Sequence, residues 1–235
     1  MSEIFISAFL GAFSAFLFFR MGEFINRVVQ RKYTHLSALV KLDRALNENY
    51  DILNGNGYHY EMLRKQNKEA KAQNVPLFSG NRISPIFIDD QLLSDLVNID
   101  YYNELFSYKT KIRRFNQDLE STFALLDMLK NSRINNIIND ETYRVGQDNI
   151  FNKLSDISNF NNHLQNLTRE LIAKARVLQN EDRTFSQRFY NLIIKRRYSD
   201  KFNGLFLTEL KKVDNDISRV TKKSKEELDK IFNYH

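Results

Sequence analysis

Leu105, Tyr108, Ile112, Phe115, Leu119, Thr122, Leu126 and Leu129 recur at spacings of 3-4-3-4-3-4-3 without an exception. A strand alternates every second residue, so this period belongs to a helix. A seam held for more than three heptads is the pattern of coiled-coil-like packing. A second seam follows at Ile150, Leu154, Ile157, Phe160, Leu164, Leu167, Leu171, Ala175 and Leu178. Positions 150, 157, 164, 171 and 178 are seven apart, while the positions between them drift by one. The drift predicts local, bundle-like packing rather than a long regular supercoil. Each seam is roughly 40 Å long at about 1.5 Å per residue. An Asn-rich break over residues 131–140, with Gly146 shortly after, separates them, so the two helices are expected to fold back as an antiparallel hairpin.

Composition points the same way. With two Pro and seven Gly in 235 residues, the chain has little material for the tight turns of an all-β fold. The expected class is all-α: an elongated helical bundle carrying the coiled-coil-like hairpin. The absence of Cys excludes disulfides, thiolate metal sites and a Cys nucleophile.

Ahead of the seams stands an apolar run. Residues 4–19 read IFISAFLGAFSAFLFF, uncharged, with six Phe. Every face of a helix built from it is apolar, which is unusual for a helix that packs one side on a soluble core. The preceding residues, MSE, carry no basic side chain, unlike the start of a secretory signal. The run therefore reads as a transmembrane helix, short at about 24 Å and extended by snorkelling of Arg20. Ser7, Gly11 and Ala15 fall at i, i+4 and i+8, a small-residue face through which two such helices could self-associate. Arg20, Arg27, Arg31 and Lys32 follow the run, so the positive-inside rule places the N-terminus outside and residues 20–235 in the cytoplasm.

These signals divide the chain into a transmembrane anchor at 1–22, juxtamembrane helices at 23–74, a loop at 75–89 and the bundle at 90–235. Within 23–74 the helical period runs from Phe24 to Leu53. Asn54, Gly55, Asn56 and Gly57 are expected to stop it, because Asn-Gly pairs supply turn conformations. Residues 58–74 then read as a polar surface helix. The loop holds both prolines, Pro76 and Pro85, yet it is rich in Leu, Ile and Phe, so it is expected to pack onto the bundle. Asp89 and Asp90 mark a helix start. Residues 180–182 interrupt the second seam weakly, and a last helix carries Phe206, Leu210, Val213, Ile217, Val220 and Ile231.

Catalytic patterns are missing. No His lies three or four residues from another, no Glu-x-x-His occurs, and there is neither a Gly-rich phosphate loop nor a Gly-x-Ser-x-Gly. Nothing points to a cofactor or metal. The reading is a membrane-anchored, non-enzymatic interaction module: a scaffold, tether or regulatory subunit that binds another protein. The alternative is a membrane-active effector or accessory of a stress or defence system whose transmembrane helix oligomerises.

Charge adds one candidate surface. Residues 195–225 hold ten basic side chains against four acidic ones, a surplus equal to the +6 of the whole chain. Lys195, Arg196, Arg197, Lys211, Lys212, Lys222, Lys223 and Lys225 are the candidates for contact with an anionic lipid surface or acidic partner. The segment lacks interleaved aromatics and a reader motif, which argues against nucleic acid.

Overall fold

The computed structural model describes residues 2–73, 75–77, 84–181, 198 and 201–232. These are all-α, with no strand among the described residues. The helices are α1 (Ser2–Ala72), α2 (Asp90–Ser94), α3 (Ile99–Ile134), α4 (Asp140–Glu181) and α5 (Phe202–Phe232).

The hairpin is present. Asn98 caps α3, its side chain accepting the Tyr101 N–H at 2.9 Å. The helix ends at Ile134, and just beyond it Asn136 takes a positive φ of 54° that Asn tolerates. Asn139 restarts the chain by accepting the Thr142 N–H at 2.8 Å. Contacts between α3 and α4 then run in opposite directions along the two helices. The Tyr101 hydroxyl donates to the Leu171 carbonyl at 3.0 Å, and Tyr108 bonds the Thr168 hydroxyl at 2.6 Å. Phe115 meets Phe160 edge to face at 5.8 Å, and Leu129 lies over Gly146. A Cβ at residue 146 would come within 2.6 Å of Leu129, so Gly146 allows a close helix approach rather than forming part of the break.

All eight positions of the first seam are buried. The second seam is buried too, with Phe160 and Leu167 half-covered. Helix α4 also buries Asn161, Ile172, Ala173 and Val177, which lie off the seam. The reason is that α4 packs against α1 and α5 as well as α3. It is the central rod of the bundle. Against α1, Asn161 donates to the Leu53 carbonyl at 2.9 Å, Gln179 to the Leu39 carbonyl at 3.1 Å, and Arg176 pairs with Asp43 at 3.3 Å. Against α5, Arg169 pairs with Asp214 and Arg176 with Asp216.

Helix α1 corrects the expected stop at residues 54–57, because it passes through them unbroken. Tertiary contacts outweigh the poor helix propensity of that stretch. Leu53, Asn56 and Tyr60 are buried, and Gly57 faces the Asn161 and Gln165 amides of α4. The polar surface helix expected at 58–74 is the continuation of α1, and it buries Tyr60, Leu63, Asn67 and Ala70. Pro76 follows the end of α1, since it has no N–H and disfavours helix before it.

The loop packs onto the bundle as expected, by a device not read from the sequence. Its residues 84–87 lie outside any helix, and three asparagines each hold both backbone groups of one residue. Asn56 of α1 bonds the Ser84 N–H and C=O at 3.1 and 2.8 Å. Asn49 of α1 does the same for Phe87 at 3.2 and 2.8 Å, and Asn116 of α3 for Ile86 at 3.3 and 2.8 Å. The backbone is paired as a sheet would pair it, while Ile86 and Ile88 enter the core. Leu77 is buried likewise, its N–H donated to the Tyr143 hydroxyl at 2.9 Å. Phe78 and Ile83 lie outside the described residues.

The membrane assignment is also corrected. Among the described residues, no helix is long and apolar enough to cross a membrane. The apolar run over residues 4–19 rises about 24 Å against a hydrocarbon core of about 30 Å. Arg20 closes it. The single-pass topology, with the N-terminus out and residues 20–235 cytoplasmic, is not upheld. The alternative of an oligomerising transmembrane effector loses the helix on which it rested.

Candidate interaction surfaces

Helix α1 joins the bundle only from His35 onward, the first of its residues to be buried. Before it, the described apolar side chains from Phe9 to Ile25 are exposed. Phe9, Phe13, Phe16, Phe18 and Phe19 are between 49% and 74% exposed. At roughly 200 Å² per Phe, these five present about 600 Å² of aromatic surface. The largest apolar patch on an ordinary monomer is about 300–600 Å² in all, and is often functional. Gly11 is surrounded by open space, and Ala15 is exposed. Beyond this stretch charges enter among further exposed apolar side chains such as Met21, Phe24 and Ile25: Glu23 pairs with Arg20 at 3.4 Å and with Arg27 at 3.8 Å.

The second surface is α5. Lys211, Lys212 and Lys222 are exposed. Lys195, Arg196 and Arg197, and the side chains of Lys223 and Lys225, lie outside the described residues. Two acids of this helix are turned aside, Asp214 to Arg169 and Asp216 to Arg176, both on α4. Glu209 is mostly covered and pairs with Lys212 at 2.9 Å. Phe202 and Val213 are buried beneath α5, and Lys174 of α4 lies over the Phe206 ring at 5.3 Å.

Open clefts also mark the described surface. One, of about 940 Å³, runs between α1, α4 and α5 and is lined by Asn47, Tyr50, Asp51, Asn162, Gln165 and Asp216 among others. Burial pushes the Asp51 carboxyl and the Tyr50 hydroxyl up from their ordinary values. The cleft is open and of mixed lining, with Ile217 and Val220 beside its polar side chains, and it lacks a nucleophile next to a base. Another, of about 720 Å³, lies between Arg27 and Arg31 of α1 and residues 94–97. Among the described residues there is no group of three or more His, Cys, Asp or Glu that could hold a metal.

The ionisable groups drawn inside are structural. His35 accepts the Val97 N–H at 3.3 Å through Nδ1, and burial lowers its pKa to about 4. Burial pushes Tyr108 up to about 12 and Tyr101 well above the usual tyrosine range, so both hydroxyls stay protonated and tie α3 to α4. The sequence signal for these partners is weak, because a buried Asn, Tyr or His in a helix looks like any other polar residue until its partner is placed.

No family model matches the chain, and no curated protein or solved structure matches it.

Proposed function

We propose that this chain is a non-enzymatic interaction module, a scaffold, tether or regulatory subunit whose rigid bundle presents the apolar start of α1 to another protein. The observation that carries this reading is the exposed Phe-rich stretch over residues 9–19. Its roughly 600 Å² approaches the ~800 Å² that each partner contributes to a standard interface. A helix apolar on every side fits a groove or a pair of helices that encloses it, as in helix-in-groove recognition. Ser7, Gly11 and Ala15 give a narrow side along which a partner helix can come close. The remainder of the chain supplies rigidity, with α1 held against α4 from His35 to Lys71.

The test is a photo-crosslinking residue placed at Phe13 or Phe16 of the full chain in its native cells, with Arg113 on exposed α3 surface as the control. The expected result is a discrete covalent adduct with one polypeptide, a second copy or another protein, from positions 13 and 16 and not from 113. Absence of any protein adduct at 13 and 16 overturns the reading.

A further inference from the structure

Between residues 201 and 222, the stretch of α5 whose side chains are described apart from Thr221, the acids are not scattered among the bases. On a helical wheel, Lys201, Lys211, Lys212, Arg219 and Lys222 fall within an arc of about 100°. All five are exposed. The other positions of that arc between 201 and 222 are Gly204, Thr208 and Asn215, none of them charged. Asp214, Asp216 and Glu209 fall outside it. The first two are held by Arg169 and Arg176 of α4, and Glu209 by Lys212. Over residues 201–222 folding therefore ties two of the three acids to α4 and leaves an outer arc whose charged side chains are all basic, Lys212 among them reaching to Glu209 beside it. The stripe runs about 32 Å at 1.5 Å per residue. Leu205 and Leu207, 47% and 59% exposed, flank it on either side.

We propose that this outer face of α5 docks on an anionic lipid surface, lying on it and not crossing it. Four of the five cations are Lys, point charges suited to a fluid layer of headgroups rather than to the bidentate geometry of a fixed site. The flanking leucines fit the boundary layer beneath the headgroups. The described face offers no aromatic platform for bases and no groove for a duplex. This inference is independent of the protein partner proposed for α1.

The experiment uses the full chain with vesicles of phosphatidylcholine alone and with about one-third phosphatidylserine, so that any apolar attraction through α1 is common to both. Each basic residue held near an anionic leaflet raises binding roughly fivefold, equivalent to about 1 kcal/mol. With about three of the five held near the surface at a time, wild-type chain is expected to bind the anionic vesicles on the order of 100-fold more strongly at low ionic strength, with the gain fading as salt is added. Reversal of Lys211, Lys212, Arg219 and Lys222 to Glu should remove that gain. The same change in charge at Arg64, Lys65, Lys68 and Arg113, exposed elsewhere on the bundle, should leave most of it. Both variants are first checked for native helix content and melting. The proposal is overturned if anionic lipid gives no gain, if the α5 variant keeps it, or if the control variant loses it equally. It is also overturned if duplex DNA or polyglutamate of equal charge competes the chain off the vesicles at stoichiometric amounts.

Discussion

Asn116→Ala should be among the most damaging changes of a half-exposed residue in this chain. Asn116 donates to the Ile86 carbonyl at 2.8 Å and accepts the Ile86 N–H at 3.3 Å. Ile86 is fully buried, so neither group finds a ready substitute partner when the amide is removed. Leaving a buried polar group unpaired costs about 1–3 kcal/mol. With water reaching the site partly, the two groups together should cost about 2–4 kcal/mol. Asn116→Asp sharpens the test. The carboxylate still accepts the Ile86 N–H, but its second oxygen faces the Ile86 carbonyl and repels it. Only the protonated acid can donate there, so the folded-state pKa of the new Asp must rise above its unfolded value of about 3.9. A raised pKa contributes stability at low pH that is lost as pH rises through the folded value. The Asp variant should therefore be at least as unstable as the Ala variant at pH 7 and gain on it as pH falls toward 4. Urea unfolding followed by circular dichroism reads both effects, with the exposed neighbour Gln117→Ala as a control within about 0.5 kcal/mol of wild type. A loss below 0.5 kcal/mol for Asn116→Ala, or an Asp variant without pH dependence, would refute the account of the strap.

Three further outcomes follow from the packing. His35, with a folded pKa of about 4 and an unfolded value near 6.5, should make stability fall as pH drops from about 6.5 to 4, by roughly 2–3 kcal/mol. His35→Gln should flatten that part of the pH profile of the urea midpoint. Leu119→Asp or Leu164→Asp should cost several kcal/mol by burying an unpaired charge, whereas Gln117→Asp should cost little, as thermal melts will show. Gly146→Val should lower the melting temperature by an amount equivalent to about 1–3 kcal/mol, because its side chain meets Leu129 across the hairpin, whereas Gly204→Val meets open space and should lose only helix propensity.

The parts legible in the sequence are those set by one helix and one period. The 105–129 seam needs only that α3 bury a single stripe, and it does so at every expected position. The 150–178 seam told half the story of α4. A helix with neighbours on three sides buries polar residues such as Asn161 and Thr168 between its apolar rows, and a search for one stripe passes over them. Residues 54–57 misled for a physical reason. Asn and Gly lower intrinsic helicity by up to about 1 kcal/mol each, while burial of Leu53, Asn56 and Tyr60 against neighbours contributes more. The strap was hidden because Asn49, Asn56 and Asn116 act on backbone 28 to 38 residues away, with no local pattern to reveal them. Of the interaction surfaces, the charge surplus of residues 195–225 was plain from composition. Its sorting was not, since the partners of Asp214 and Asp216 lie on α4. The apolar run was equally plain, and its assignment as a spanning helix was the reading that failed.

The central claim is that the exposed start of α1 is covered by another protein in the working state. The chain has no cysteine, so a single thiol can be placed wherever it is wanted. Phe13→Cys and Phe16→Cys, with Arg64→Cys on the bundle surface as reference, allow a direct comparison of maleimide labelling rates in native cells and on the purified chain. The account predicts that positions 13 and 16 label about as fast as 64 on the isolated chain. In the native state they should label at least about tenfold more slowly, with 64 unchanged and protection returning when the crosslinked polypeptide partner is added back to the purified chain. Equal labelling of all three positions in the native state would contradict it.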